Sequence, residues 1–219
     1  MTRPQVHSVN VGQPREFELN GKRFSSAIWK SPAAGRLEVR GVNIAGDEQA
    51  DRTVHGGPDK AIYAYAREDY LWCSDQLGFL LEPGTFGENL TVSGLELNEA
   101  LVGERWRVGA TLLAVTQPRL PCFKLGVRMG DQGFPRRFSR AARWGAYLAL
   151  VQEGDIGTGD RIEVIQRPAH RVTVGLIGHV YYHDHSRASE LLAAETLPEG
   201  WRAWAEDASR RGRSHRMTG

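Results

Sequence analysis

Cys122 stands in the run Gln117-Pro118-Arg119-Leu120-Pro121-Cys122-Phe123-Lys124, where two prolines stiffen the backbone and two cations flank the sulfur. Nearby positive charge lowers a thiol pKa, and the thiolate is the form that attacks electrophiles or binds a metal. Pro118 and Pro121 fix φ and remove two backbone donors, so the stretch is expected to be a rigid loop that holds a ligand in one orientation. A lone cysteine is otherwise a small buried hydrophobe, and it is Arg119 and Lys124 that shift this one toward chemistry. Cys73 is the contrast. It lies near a face marked by Tyr70, Leu71, Ser74 and Leu77 at helical spacing, and it reads as packing.

Three further segments gather ionisable groups. Gly46-Asp47-Glu48-Gln49-Ala50-Asp51-Arg52-Thr53-Val54-His55-Gly56-Gly57-Pro58-Asp59-Lys60 sets polar residues against two glycines just before an apolar run. Gly56-Gly57 would let backbone amides approach an anion, with Arg52, His55 and Lys60 supplying charge. The competing reading is a solvated turn in which Asp47, Glu48 and Asp51 pair with Arg52 and Lys60. In Gly84-Thr85-Phe86-Gly87-Glu88-Asn89-Leu90, Asn89 has the donor and acceptor to hold a cofactor, or to fasten a turn. His183-Asp184-His185 precedes a helix, where capping is a more economical role than metal binding. No Walker-type run ending in Gly-Lys and no His-Glu-x-x-His is present.

The elements that position these residues read as short β-type runs up to about residue 167, at 6–11, 24–29, 61–65, 106–108, 111–116, 146–151 and 162–166, a pattern of a barrel or sandwich rather than of alternating βα units. Helices are expected at 68–77 and 135–143. Beyond Arg167-Pro168 the texture changes to three short helices at 173–180, 187–194 and 198–209, sharing Leu191, Leu192, Leu197, Trp201 and Trp204 as a core. A bundle this small is marginal alone, so it must pack on the barrel or on a partner subunit, a homodimer being the second case. The division expected is a β domain over 1–168 and a helical one over 169–219.

Composition narrows the classes. A chain of 219 residues with a formal net charge of +2 carries no nucleic-acid signature, and the arginines from Arg202 to Arg216 read as a solvated, partly frayed tail. No apolar stretch is long enough for a bilayer and Met1-Thr2-Arg3-Pro4-Gln5 lacks the apolar core of a signal peptide, so a cytoplasmic protein without a membrane partner is expected. Two cysteines do not suggest a disulfide framework or a zinc cluster, and they are too few for an iron–sulfur centre.

Taken together, Ser26-Ala27-Ile28-Trp29-Lys30-Ser31-Pro32, Gly46-Asp47-Glu48-Gln49-Ala50-Asp51, His55-Gly56-Gly57-Pro58-Asp59-Lys60-Ala61, Phe86-Gly87-Glu88-Asn89-Leu90 and the Cys122 run resemble the MOSC superfamily, and within it the YiiM-type proteins. The resemblance runs through nearly the whole chain. It implies a MOSC-type β-barrel followed by a small C-terminal three-helix bundle, and binding of the molybdenum cofactor (molybdopterin) with Cys122 as the protein's sulfur ligand. Soft thiolate suits a metal already held by a dithiolene, and Lys30, His55, Lys60 and Arg119 are the cations for phosphate and pterin. It further implies reduction of N-hydroxylated compounds, hydroxylaminopurine-like bases, to amines, with His55 as the proton donor or orienting group. No dinucleotide fingerprint is evident, so electrons would come from a separate ferredoxin, flavodoxin or flavin reductase. Two other readings stay open: a non-catalytic carrier of the cofactor or of sulfur, and a metal-free thiol hydrolase using Cys122 and His55.

Overall fold

The computed structural model describes residues 3–50 and 56–217, with side chains up to residue 211. The expected His55 and Arg52 lie outside the described residues, as does Asp51. The strands in chain order are β1 (Gln5–Val11), β2 (Arg15–Leu19), β3 (Lys22–Ser26), β4 (Ser31–Pro32), β5 (Arg36–Arg40), β6 (Asn43–Ile44), β7 (Ile62–Ala66), β8 (Leu90–Ser93), β9 (Arg105–Val108), β10 (Thr111–Pro118), β11 (Ala146–Gln152), β12 (Gly154–Gly157) and β13 (Ile162–Gln166). The helices are α1 (Arg67–Leu77), α2 (Phe123–Met129), α3 (Phe134–Ala141), α4 (Val174–Tyr182) and α5 (Glu199–Met217), with a 3-10 helix at His185–Ala193 between the last two.

Among the described residues one large sheet runs β13-β9-β10-β11-β7-β8-β1-β4, with a three-stranded sheet β12-β5-β6 and the hairpin β2-β3 beside it. Every pairing is antiparallel except β7 with β8. The sheet does not alternate βα units throughout, but it holds one. Parallel neighbours need a crossover, and α1 supplies it between β7 and β8. The fold is therefore mixed α/β around a mostly antiparallel sheet. A closed barrel does not follow from the pairing: β1 meets the residues leading into β13 through the isolated bridge of Gln5 with Arg161 and a few backbone hydrogen bonds beside it, and β1 and β13 are not neighbours in the sheet order.

β7 shows how the sequence divides the interior. Its five residues are all buried, and their alternation sends Ile62, Ala64 and Ala66 to one cluster and Tyr63 and Tyr65 to another. The first cluster is aliphatic with Trp106 and Trp144. The second is aromatic, with Tyr65 and Phe86 each in ring contact with the other and with Tyr70 and Phe138. α1 turns Tyr70, Cys73 and Ser74 inward and leaves Leu71 about half exposed, correcting its place on the buried face. Cys73 packs as expected, its sulfur 3.8 Å from the Tyr65 hydroxyl.

The C-terminal helices bury Ile177, Val180, Leu191 and Leu197 together with Val102 and Val172 from outside them. Of the expected core, Leu192, Trp201 and Trp204 are only partly buried. The middle helix is a 3-10 helix and not an α-helix, capped by Asp184 through the Ser186 amide, and α5 continues helical through Met217 where a frayed tail was expected. Asp207 pairs with Arg211 one turn on, which favours that continuation. Gly178 of α4 lies so close to the Trp144 indole that an added Cβ would stand 2.5 Å from its nitrogen, and Trp144 stacks on Tyr182 at 5.2 Å. No helix among the described residues is long and apolar enough to cross a membrane.

Candidate functional site

Four chain segments, with Tyr147 of β11 beside them, converge on one cavity of about 80 Å³ that Cys122 lines. The first comes from the end of β3: strand pairing stops at Ser26, short of the expected residue 29, and the chain turns so that Ala27, Ile28 and Lys30 face the cavity. The second is the 46–60 segment, where Gln49 accepts from the Gly57 amide at 2.9 Å and donates to the carbonyls of Val42 and Lys60, tying the Gly-Gly turn to the wall. Gly57 adopts φ 93°, a conformation that glycine reaches at little cost. The third is the turn into β8, contributing Gly87 and Asn89. The fourth is the Cys122 run.

That run is not a loop throughout. Gln117 and Pro118 end β10, and α2 begins at Phe123 with Cys122 as its N-cap residue. Pro121 falls just before the cap, where a missing N–H costs nothing to the helix. Cys122 is half-buried. Arg119 is buried beside it, with its guanidinium carbon 5.9 Å from the centre of the Tyr63 ring and Tyr147 among its electrostatic neighbours. Burial works against the Arg119 charge, but Cys122, Tyr147 and Tyr63 more than offset it, so its pKa lies above the ordinary arginine value. The same burial raises the Tyr147 and Tyr63 hydroxyls.

Lys30 is the second buried cation. Asp47 accepts from its ammonium and, through the same oxygen, from the Gly12 amide at 2.8 Å, while the other oxygen of Asp47 accepts from Asn89 Nδ2 at 2.9 Å. The solvated-turn reading of Asp47 is thereby corrected: it is buried and pairs with Lys30. Desolvation lowers the Lys30 pKa, with Asp47 opposing it. Asn89 is also engaged on its other side, where its Oδ1 accepts from the Tyr63 amide at 3.1 Å. Lys30, Lys60, Asn89, Arg119 and Cys122 thus share one cavity, which Lys124 also lines. Tyr63, Tyr147 and the Lys30–Asp47 pairing were not foreseen. The tyrosines sit in strands whose alternation reveals burial but not which interior they face.

Glu88, next to Asn89, is fully buried. Its Oε1 accepts from the Tyr70 hydroxyl at 2.7 Å, the Gly84 amide at 2.6 Å and Thr91 Oγ1 at 2.7 Å, and its Oε2 has no hydrogen-bond partner among the described residues. Burial pushes its pKa up, and the hydrogen bonds offset part of that. A carboxyl held above its unfolded value contributes stability that is complete at low pH and is lost as pH rises through the folded pKa. Glu88→Gln does not titrate, so the stability of the variant relative to wild type should rise as pH increases beyond the ordinary value of 4.5. Urea midpoints at a series of pH values test this, and a difference that stays constant would refute it.

A sulfur beside buried cations suits a soft metal carried by an anionic organic group. Residues 51–163 match the family model of the MOSC domain. The chain belongs to the MOSC domain family. This MOSC protein is 33% identical over 204 residues to the uncharacterized protein YflK of Bacillus subtilis, covering 92% of each chain. It is 32% identical over 183 residues to Protein YiiM of Escherichia coli, covering 80% of this chain and 81% of YiiM. A protein named Reductase from Gibberella moniliformis is 30% identical over 164 residues, 73% of this MOSC protein but 29% of that longer chain. The crystal structure of YiiM from Geobacillus stearothermophilus superposes with a TM-score of 0.77 at 28% identity, covering 94% of this chain and 98% of the other. The protein is a YiiM-type MOSC protein, and the MOSC domain is associated with molybdenum cofactor binding in general.

Proposed function

We propose that this protein is a molybdenum-cofactor-dependent oxidoreductase that reduces N-hydroxylated compounds, hydroxylaminopurine-like bases among them, to the amines. The observation that carries the reading is the convergence of Cys122 with Lys30, Lys60 and Arg119 on one cavity. Cys122 is the sulfur ligand to molybdenum, and the cations hold the phosphate and pterin. When bound, the cofactor supplies the two-electron chemistry. Breaking the N–O bond takes two electrons and two protons and releases water and the amine, the electrons coming from a separate redox protein such as a ferredoxin, a flavodoxin or a flavin reductase. The reductase relative lends the reaction class support.

The chain's own part is to bind and to orient. Arg119 is held over Tyr63 with Tyr147 beside it, so its charge is directed before any ligand arrives. Lys30 is held by Asp47, and Asn89 braces Asp47 from behind.

Lys60→Ala or Arg119→Ala each removes a charge-assisted contact of roughly 1.5–3 kcal/mol, which by affinity arithmetic lowers cofactor binding about tenfold to more than a hundredfold. Molybdenum per chain, set beside rate per bound molybdenum, measures it, and full occupancy in both variants would contradict the assignment. The activity itself is tested by metal and pterin analysis of protein from a cofactor-competent host, followed by anaerobic assay with reduced viologen and hydroxylaminopurine. Turnover supports the reductase. Cofactor without turnover on any N-hydroxylated compound would instead make the protein a carrier.

A further inference from the structure

Beside the Cys122 cavity lies a groove of about 440 Å³, and Lys60 and Tyr147 line both. One wall belongs to the sheet, through the Pro58–Lys60 turn and the Gln117-Pro118 end of β10. The other belongs to the C-terminal helices, through Tyr181 of α4 and Trp201 and Trp204 of α5.

The aromatic wall is built rather than incidental. Trp201 Nε1 donates to Gln117 Oε1 at 2.7 Å, and Gln117, itself buried, donates to the Asp59 carbonyl at 3.4 Å. The indole is therefore pinned across the seam between helices and sheet. Tyr181 meets Trp201 edge-on at 5.4 Å, and Trp204 meets it at 5.7 Å, so the three rings brace one another. An indole whose N–H is satisfied and whose ring is only partly covered presents an apolar face, on which a flat π-system packs well. Buried cations concentrate on one side: Lys30, Arg119 and Lys124 line the cavity and not the groove, while Lys60 lines both and Asp59 lines the groove. An anionic cofactor belongs on the cavity side and an uncharged ring on the aromatic side, in a space of the size that small-molecule sites occupy.

We infer that this groove takes the flat heteroaromatic ring of the N-hydroxylated substrate, stacked against Trp201, and so selects aromatic over aliphatic N-hydroxylated compounds. The inference rests on the reductase reading, with the N–OH end directed past Lys60 and Tyr147 toward Cys122.

Two variants separate stacking from support. Trp201→Leu removes the pinned ring, and Trp204→Leu removes a bracing ring while leaving the Gln117 bond in place. Calorimetric titration of the cofactor-loaded protein with 6-hydroxylaminopurine, without reductant, should show Trp201→Leu binding about 5- to 150-fold more weakly, the range of one base–aromatic stack, and Trp204→Leu more weakly by a smaller factor. In steady state the KM for 6-hydroxylaminopurine should rise while its kcat, and the KM for hydroxyurea, stay at wild-type values. Unchanged purine binding in both variants would overturn the inference. A fall in molybdenum per chain would overturn it as well, assigning the groove to the pterin. Wild-type protein that binds the purine through Trp201 but reduces no N-hydroxylated compound would sink the reductase reading and leave the ring site standing.

Discussion

Cys122→Ser should bring reduction to background and strip molybdenum from the chain while leaving the fold intact. A hydroxyl is a poor replacement for a soft sulfur ligand. It is, however, a favourable one for the backbone, because Cys122 occupies the N-cap of α2 without a side-chain cap bond, and serine is among the preferred residues there. Loss of function with equal or higher melting temperature is therefore the expected signature. Cys73→Ser is the control: its sulfur is buried against the Tyr65 hydroxyl, with a thiol pKa pushed up by burial. It should cost about 0.5–3 kcal/mol of stability, as ordinary core substitutions do, and leave molybdenum content unchanged. Wild-type turnover in Cys122→Ser would show that the ligand is another group.

Asp47→Ala should be the most damaging change to stability at the site. It removes the counter-charge from Lys30 in a place where both side chains are buried, at 8% and 3% exposure, and it orphans the Gly12 amide. Breaking one half of a buried pair costs about 3–5 kcal/mol, since the remaining charge stays desolvated. Urea unfolding should show the midpoint falling with an unchanged slope. Lys30→Met in the same chain should then restore a large part of the loss, because it removes the uncompensated charge. A double variant no more stable than Asp47→Ala would mean that the pair's electrostatics are not what holds these residues.

The site was more legible than the path of the chain through it. Lys30, Lys60, Asn89, Arg119 and Cys122 come from distant segments and line one cavity, and the strand at 162–166 matches β13 to the residue. Local pattern failed where a long-range partner decides the outcome. Prolines at 118 and 121 suggested a loop, yet Pro118 pairs with Ala146 at the end of β10 and Pro121 sits ahead of a helix cap. Asp47 looked solvated because its neighbours are polar, and nothing within ten residues announces that Lys30, seventeen positions away, is its partner. The βαβ crossover was hidden for a related reason. β7 is buried on both faces, and its short apolar run marks a strand without telling which neighbour it pairs with or in which direction. Trp201 and Trp204 read as core, although the groove keeps both rings partly exposed.

The most direct test of the central claim, that Cys122 is the protein's sulfur on molybdenum, is X-ray absorption at the molybdenum edge of gel-filtered protein, wild type against Cys122→Ser. The technique counts sulfur neighbours on whatever metal stays with the chain. With two sulfurs from the dithiolene, the account predicts one further sulfur in the wild type, and its loss in the metal that the variant retains. An identical sulfur count in both proteins would contradict it.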